Sequence, residues 1–107
     1  MKKSTLLVQS GNGMRVRWLQ KAIINLDAEA DYIALEDSAV AAKMFVYVKA
    51  KVDALSKFPS SGRPGRVPGT RELVIDNYPF VVPYRVVGDE LHVLRVFHTR
   101  RKLPKAW

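Results

Sequence analysis

The side chains in this sequence best equipped for chemistry are a late histidine and a set of arginines. His98 lies within HTRR, so an imidazole that can gain or lose a proton near neutral pH stands beside Arg100 and Arg101. That pairing suits proton transfer on an RNA phosphodiester; a hydrogen-bonded histidine at a strand end is the plainer reading. Arg71 next to Glu72 forms either a functional pair or an arginine held by an acidic neighbour at a strand entrance. Arg85 follows Tyr84, so one of the two faces away from the core, and Arg85 either binds a partner or pairs with an acid of the first helix. Arg63, Arg66, Arg100, Arg101, Lys102 and Lys105 add cationic segments on both sides of these residues, with no acid among residues 98–107. Such clusters suit a negatively charged partner or lie solvated. Trp107 either packs back on the domain or anchors a contact.

Other chemistries lack their residues. His92 and His98 with no cysteine do not make a metal-ligand pattern, and no cofactor is implied. Gly62, Gly65 and Gly69 do not spell a phosphate-binding loop and fall between a helix and a strand, the reverse of the required order. No serine has a recognisable histidine and acid arranged for nucleophilic attack.

The elements that must position these residues can be read from periodicity. Met14, Val16 and Trp18 alternate with Arg15 and Arg17, which predicts a half-buried strand with two arginines on its open face. Ala22, Ile23, Leu26, Ala30 and Ile33 line one side of a helix from Gln20 to about Glu36. Ser38 is the expected N-cap of a second helix from Ala39 to Phe58, with an apolar seam of Ala41, Phe45, Val48, Val52 and Leu55. Pro59 to Gly62 ends it, and the short link makes the helices an antiparallel hairpin. Three β-rich runs follow, Glu72–Ile75, Phe80–Val87 and Leu91–Phe97, joined by Asp76-Asn77 and Gly88-Asp89. Connections this short permit only antiparallel pairing. Pro83, inside the second run, demands a bulge or an outward-facing nitrogen. The class is therefore α+β, with an N-terminal strand and a helix hairpin on a three- to four-stranded antiparallel sheet. Helices cover one face of such a sheet and leave the other as the natural binding surface.

A length of 107 residues suits one domain, placed at 14–107, with residues 1–13 expected to be a flexible extension. The formal charge of +8 comes entirely from residues 43–107, because basic and acidic residues balance over 1–42. A basic half attracts polyanions such as nucleic acid or an acidic protein segment. The apolar run Leu6-Leu7-Val8 is too short for a signal peptide, and no stretch could span a bilayer, so a cytoplasmic protein is expected.

From Met14 to Pro104 the chain resembles toxins of the RelE/ParE superfamily of type II toxin–antitoxin modules. The resemblance is carried in order by MRVRW, by Asp31-Tyr32-Ile33, by Phe58-Pro59 with Gly62-Arg63-Pro64-Gly65, and by Gly69-Thr70-Arg71-Glu72-Leu73. Tyr84-Arg85-Val86 and Val96-Phe97-His98-Thr99-Arg100-Arg101 with Pro104 complete it. It implies a helix hairpin on a small antiparallel sheet, and a cognate antitoxin whose acidic segment wraps the toxin. It also implies growth inhibition and a part in plasmid maintenance. RelE-like members cleave mRNA on the ribosome; ParE-like members poison DNA gyrase without acting as enzymes. In a RelE-like enzyme an arginine precedes by three residues the tyrosine of the penultimate strand, and here that position is Val81. No tyrosine follows Tyr84 to serve at the C-terminus, although His98 could take a histidine role. Val82-Pro83-Tyr84-Arg85 and the His98-to-Pro104 ending look like the ParE branch, which makes gyrase the expected target. The surface in contact with antitoxin or target is expected among Arg63, Arg66, Arg71, Arg85, Arg100, Arg101, Lys102, Lys105 and Trp107. A RelE-like alternative would use Arg71, Arg85 and His98 on ribosome-bound mRNA.

Overall fold

The computed structural model describes residues 13–107 and the backbone of Leu6–Gln9. The elements in order are β1 (Leu6–Gln9), β2 (Arg15–Trp18), α1 (Gln20–Ala34), α2 (Ser38–Ala54), β3 (Arg63–Pro64), β4 (Arg71–Val74), β5 (Phe80–Val87), β6 (Glu90–Val93) and β7 (Phe97–His98). The flexible extension expected at 1–13 falls mostly outside the described residues. Within it, the backbone of β1 pairs antiparallel with β2.

The expected antiparallel sheet forms the centre, β4–β5–β6, but it is part of a larger mixed sheet in the order β1-β2-β6-β5-β4-β3. The N-terminal strand β2 lies parallel to β6, with Val16 opposite Leu91 and Trp18 opposite Val93. That pairing is possible because the helix hairpin lies between the two strands in sequence and serves as the long crossover a parallel return requires. The third β-rich run is divided. β6 pairs with Tyr84–Val87, β7 with Phe80–Val81, and Leu94–Val96 arches across the gap between them. Pro83 sits at that gap. Its carbonyl accepts from Leu94 N at 2.9 Å, so its nitrogen points to the same side, where the β6 ladder ends and no donor is needed. Gly88, at φ 61°, supplies the positive dihedral of the two-residue turn joining β5 to β6.

Both helices pack on one face of the sheet. The core joins Val16 and Trp18 of β2, Ala22 and Leu26 of α1, and Met44, Val48 and Val52 of α2 to Phe80, Val82 and Tyr84 of β5. Met44 takes the fully buried place that the predicted seam assigned to Phe45, which packs at the edge of the core. Helix α2 is capped by Asp37 instead of Ser38: its carboxylate accepts from Ala39 N at 3.0 Å and Val40 N at 3.1 Å. Beyond Ala54 the chain continues to Phe58 through successive i to i+3 bonds, so the expected last turn is present in tightened form.

Candidate functional site

Alternation along β5 divides the candidate residues between two faces. Phe80, Val82 and Tyr84 point into the core, whereas Arg85 is exposed on the opposite, open face. Arg71 lies opposite Tyr84 and His98 opposite Phe80, so both share the helix-covered side. Along β5 their partners are four residues apart, about 13 Å at the usual strand rise.

Arg71 is held by carbonyls and not by an acid. Its guanidinium donates to Gly62 O at 2.8 Å and Ser60 O at 3.3 Å. The Tyr84 hydroxyl joins the same segment, donating to Pro59 O at 2.7 Å and accepting from Gly62 N at 2.9 Å. Burial raises the pKa of this phenol, so it remains a neutral hydrogen-bonding group. Gly62 is required by close approach: a Cβ there would lie 2.5 Å from the Tyr84 hydroxyl and 2.9 Å from the Glu72 carbonyl oxygen.

Glu72 points to the other face and gathers Arg63 and Arg66. Its buried carboxylate meets Arg63 at 3.0 Å and accepts from Arg66 N at 2.9 Å, with the Arg66 guanidinium at 3.5 Å. Burial alone would raise its pKa. The Arg66 N–H, the Arg63 hydrogen bond and the two guanidinium charges outweigh it and hold the carboxyl below its ordinary value. Arg63 and Arg66 are thus structural ties for the 63–70 loop as much as surface cations.

The C-terminal segment folds back along α1. Arg101 binds the buried Glu29 through two contacts, at 2.5 and 3.3 Å. Trp107 donates from Nε1 to Thr70 Oγ1 at 3.1 Å, packs 5.4 Å from the Phe97 ring and lies beneath the Arg66 guanidinium. Arg95, not singled out in the sequence, donates to Asn25 Oδ1 at 2.8 Å and covers Phe97. No side-chain partner is found among the described residues for Arg85, Arg100, Lys102 or Lys105. Among the described residues Arg85 makes no ion pair with an acid of the first helix, and Glu29 of that helix holds Arg101.

His98 has few neighbours suited to proton transfer. Its ring meets Phe80 edge-on at 5.7 Å, and Nδ1 accepts from Arg100 N at 3.2 Å. His92 is on the open face, where Nε2 and Glu90 Oε1 are 2.9 Å apart. Arg15 and Arg17 approach the same carboxylate, and its pKa is lowered first by the His92 bond and then by Arg17 and Arg15. Among the described residues, no group of carboxylates and histidines is arranged to hold a metal ion, and no helix is long and apolar enough to cross a membrane.

On the open face, Arg85 and Lys21 border a groove of about 480 Å³ that also includes Leu19, Gln20, Val67, Thr70, Leu94 and Trp107. Lys21, Val67, Thr70 and Leu94 were not candidates in the sequence. They come from α1, the loop before β4 and the arch after β6, and nothing in the local pattern around any of them marks a shared surface.

The chain is similar to known toxins over most of its length. The family model for the ParE toxin of the type II toxin–antitoxin system, parDE, matches residues 16–103. The Sinorhizobium fredii protein named toxin Y4kP is 40% identical over 91 residues, 85% of this chain and 94% of that protein. Toxin RelE2 of Caulobacter vibrioides is 32% identical over 81% of this chain and 97% of its own length. A solved chain of the chromosomal ParDE TA system from P. aeruginosa superposes with a TM-score of 0.70 at 36% identity, covering 76% of this chain and 90% of that one. Helix hairpin, N-terminal strand and mixed sheet agree with that architecture. The chain belongs to the ParE toxin family of type II toxin–antitoxin systems.

Proposed function

We propose that this protein is a ParE-like toxin that poisons DNA gyrase in the cytoplasm by protein–protein contact, and that a cognate antitoxin silences it. One observation carries the choice: the residues a RelE-like nuclease would use do not converge. Arg71 and His98 share the helix side of the sheet about 13 Å apart along β5, while Arg85 points away from both. Phosphodiester cleavage requires an acid, a base and a cation around one phosphate. The ParDE identity of the solved relative supports an antitoxin partner for this chain. Purified protein is expected to trap gyrase–DNA cleavage complexes in a supercoiling reaction, and His98→Ala is expected to trap them equally well.

The name of one relative, toxin RelE2 of Caulobacter vibrioides, favours the second reading, a ribosome-dependent endoribonuclease. Cleavage of ribosome-bound mRNA that disappears in His98→Ala, with gyrase unaffected, would establish it and overturn the first.

A further inference from the structure

The C-terminal segment is laid along α1 in the direction opposite to the helix. Thr99 starts it, with amide and hydroxyl both donating to Pro79 O, at 2.8 and 3.2 Å. Arg101 then reaches Glu29, Arg95 joins Asn25 to the Trp107 carbonyl, and Trp107 lines the same groove as Lys21. Glu29, Asn25 and Lys21 are spaced four residues apart, so they share one face of α1. From Glu29 to Lys21 the helix rises about 12 Å. Over that length the strap exposes Arg100, Lys102 and Lys105, and Lys21 stands exposed at its far end. None of these four side chains meets an acid among the described residues. The exposed acids of α1 lie on another side: Asp27 and Asp31 border cavities shared with Phe45 of α2.

We propose that this strap is a nucleic-acid contact, in which Arg100, Lys102, Lys105 and Lys21 form a track for the phosphate backbone of duplex DNA. The inference rests on the proposed gyrase reading, because a gyrase poison meets the enzyme together with the DNA it holds. One strand of a duplex carries a charge about every 3.4 Å along its axis, so about 12 Å of track faces three to four phosphates. Four unpaired cations answer them. Ordering a loose tail on binding would cost affinity. Here the backbone is already tied at Pro79, Glu29 and Thr70, so the track is set before DNA arrives. An acidic protein segment suits it less, since protein contacts are anchored by large side chains entering pockets. Leu103 and Trp107, the large apolar residues of the strap, are already half-buried against the domain. Single-stranded RNA carries similar charge, but a strap pinned along a helix matches the fixed phosphate spacing of a duplex.

The test is fluorescence anisotropy of the full-length protein with a labelled DNA duplex of about 20 base pairs, a single-stranded RNA of equal length and a glutamate octapeptide. For four phosphates the duplex affinity should fall with salt at a log–log slope of about −3.6, roughly a hundredfold between 50 and 200 mM. In the double variant Lys102→Ala, Lys105→Ala the slope should drop to about −1.8 and binding at 100 mM salt should weaken at least fivefold. Lys43→Ala with Lys57→Ala, the same charge change away from the strap, should alter affinity less than twofold. Absence of duplex binding at 50 mM salt, tighter binding of the RNA or the peptide, an unchanged slope in the strap variant, or an equal loss in the control pair would each overturn the proposal. Circular dichroism checks folding, and the single variants, each expected to be about 0.9 shallower in slope, keep the test open if the double variant loses structure. With gyrase, the strap variant should trap at least fivefold fewer cleavage complexes than the parent while binding DNA-free gyrase equally. If parent and variant trap complexes alike, the functional reading stands and the track is overturned. If the parent traps none, the functional reading fails and the duplex titration alone decides the track.

Discussion

Glu72→Gln tests whether the 63–70 loop, and with it one wall of the groove, is held by a buried charge. The carboxylate side chain is 3% exposed, whereas its partners Arg63 and Arg66 are 54% and 39% exposed. Glutamine keeps an oxygen for the Arg66 N–H but removes the charge the two guanidiniums share. Both arginines can regain water, so screening keeps the loss well below that of a fully buried pair, at about 1–2 kcal/mol. Alanine also opens a cavity and orphans the N–H, for about 2–4 kcal/mol. At about 4–8 °C per kcal/mol for a domain of this size, Glu72→Gln should melt roughly 4–16 °C below the parent. The pH dependence has a definite sign. The folded carboxyl titrates below its ordinary 4.5, so its stabilisation is fully present above that value and is lost as pH falls through the lower folded value. Urea unfolding followed by circular dichroism should therefore show a gap between parent and variant at pH 7 that narrows by pH 3. A variant as stable as the parent at pH 7, or a gap unchanged at pH 3, would refute the reasoning.

Three further outcomes follow from the geometry. Arg101→Ala leaves the buried Glu29 without its cation and should cost about 1–3 kcal/mol, discounted for the exposure of the arginine, while hydrogen exchange over 99–107 accelerates. Gly62→Ala drives a methyl into the Tyr84 hydroxyl and the Glu72 carbonyl, and a loss of about 1–3 kcal/mol is expected in urea titration. Asp37→Ala removes the cap of α2 and should cost about 1 kcal/mol in the same assay, whereas Ser38→Ala should be nearly silent.

Local patterns in the chain contain much of the fold. The alternation around Val16 and Trp18 and the spacing from Ala22 to Leu26 each report which side of an element is apolar, and burial follows that side, whereas the continuous apolar run Phe80–Tyr84 is buried on both faces. The basic character of the second half was also legible, because charge needs no partner to be counted. What the cations do was not. Arg63 and Arg66 converge on Glu72 only because β3 pairs with β4, and Arg101 reaches Glu29 across 72 residues. The parallel union of β2 with β6, the arch at Pro83 and the groove around Arg85 likewise depend on segments far apart in sequence. Periodicity reports the environment of a residue relative to its own element, whereas pairing between elements is chosen by the whole packed chain. For that reason the arginines that remain free to meet a partner could be separated from those already engaged only after the tertiary structure had brought them together.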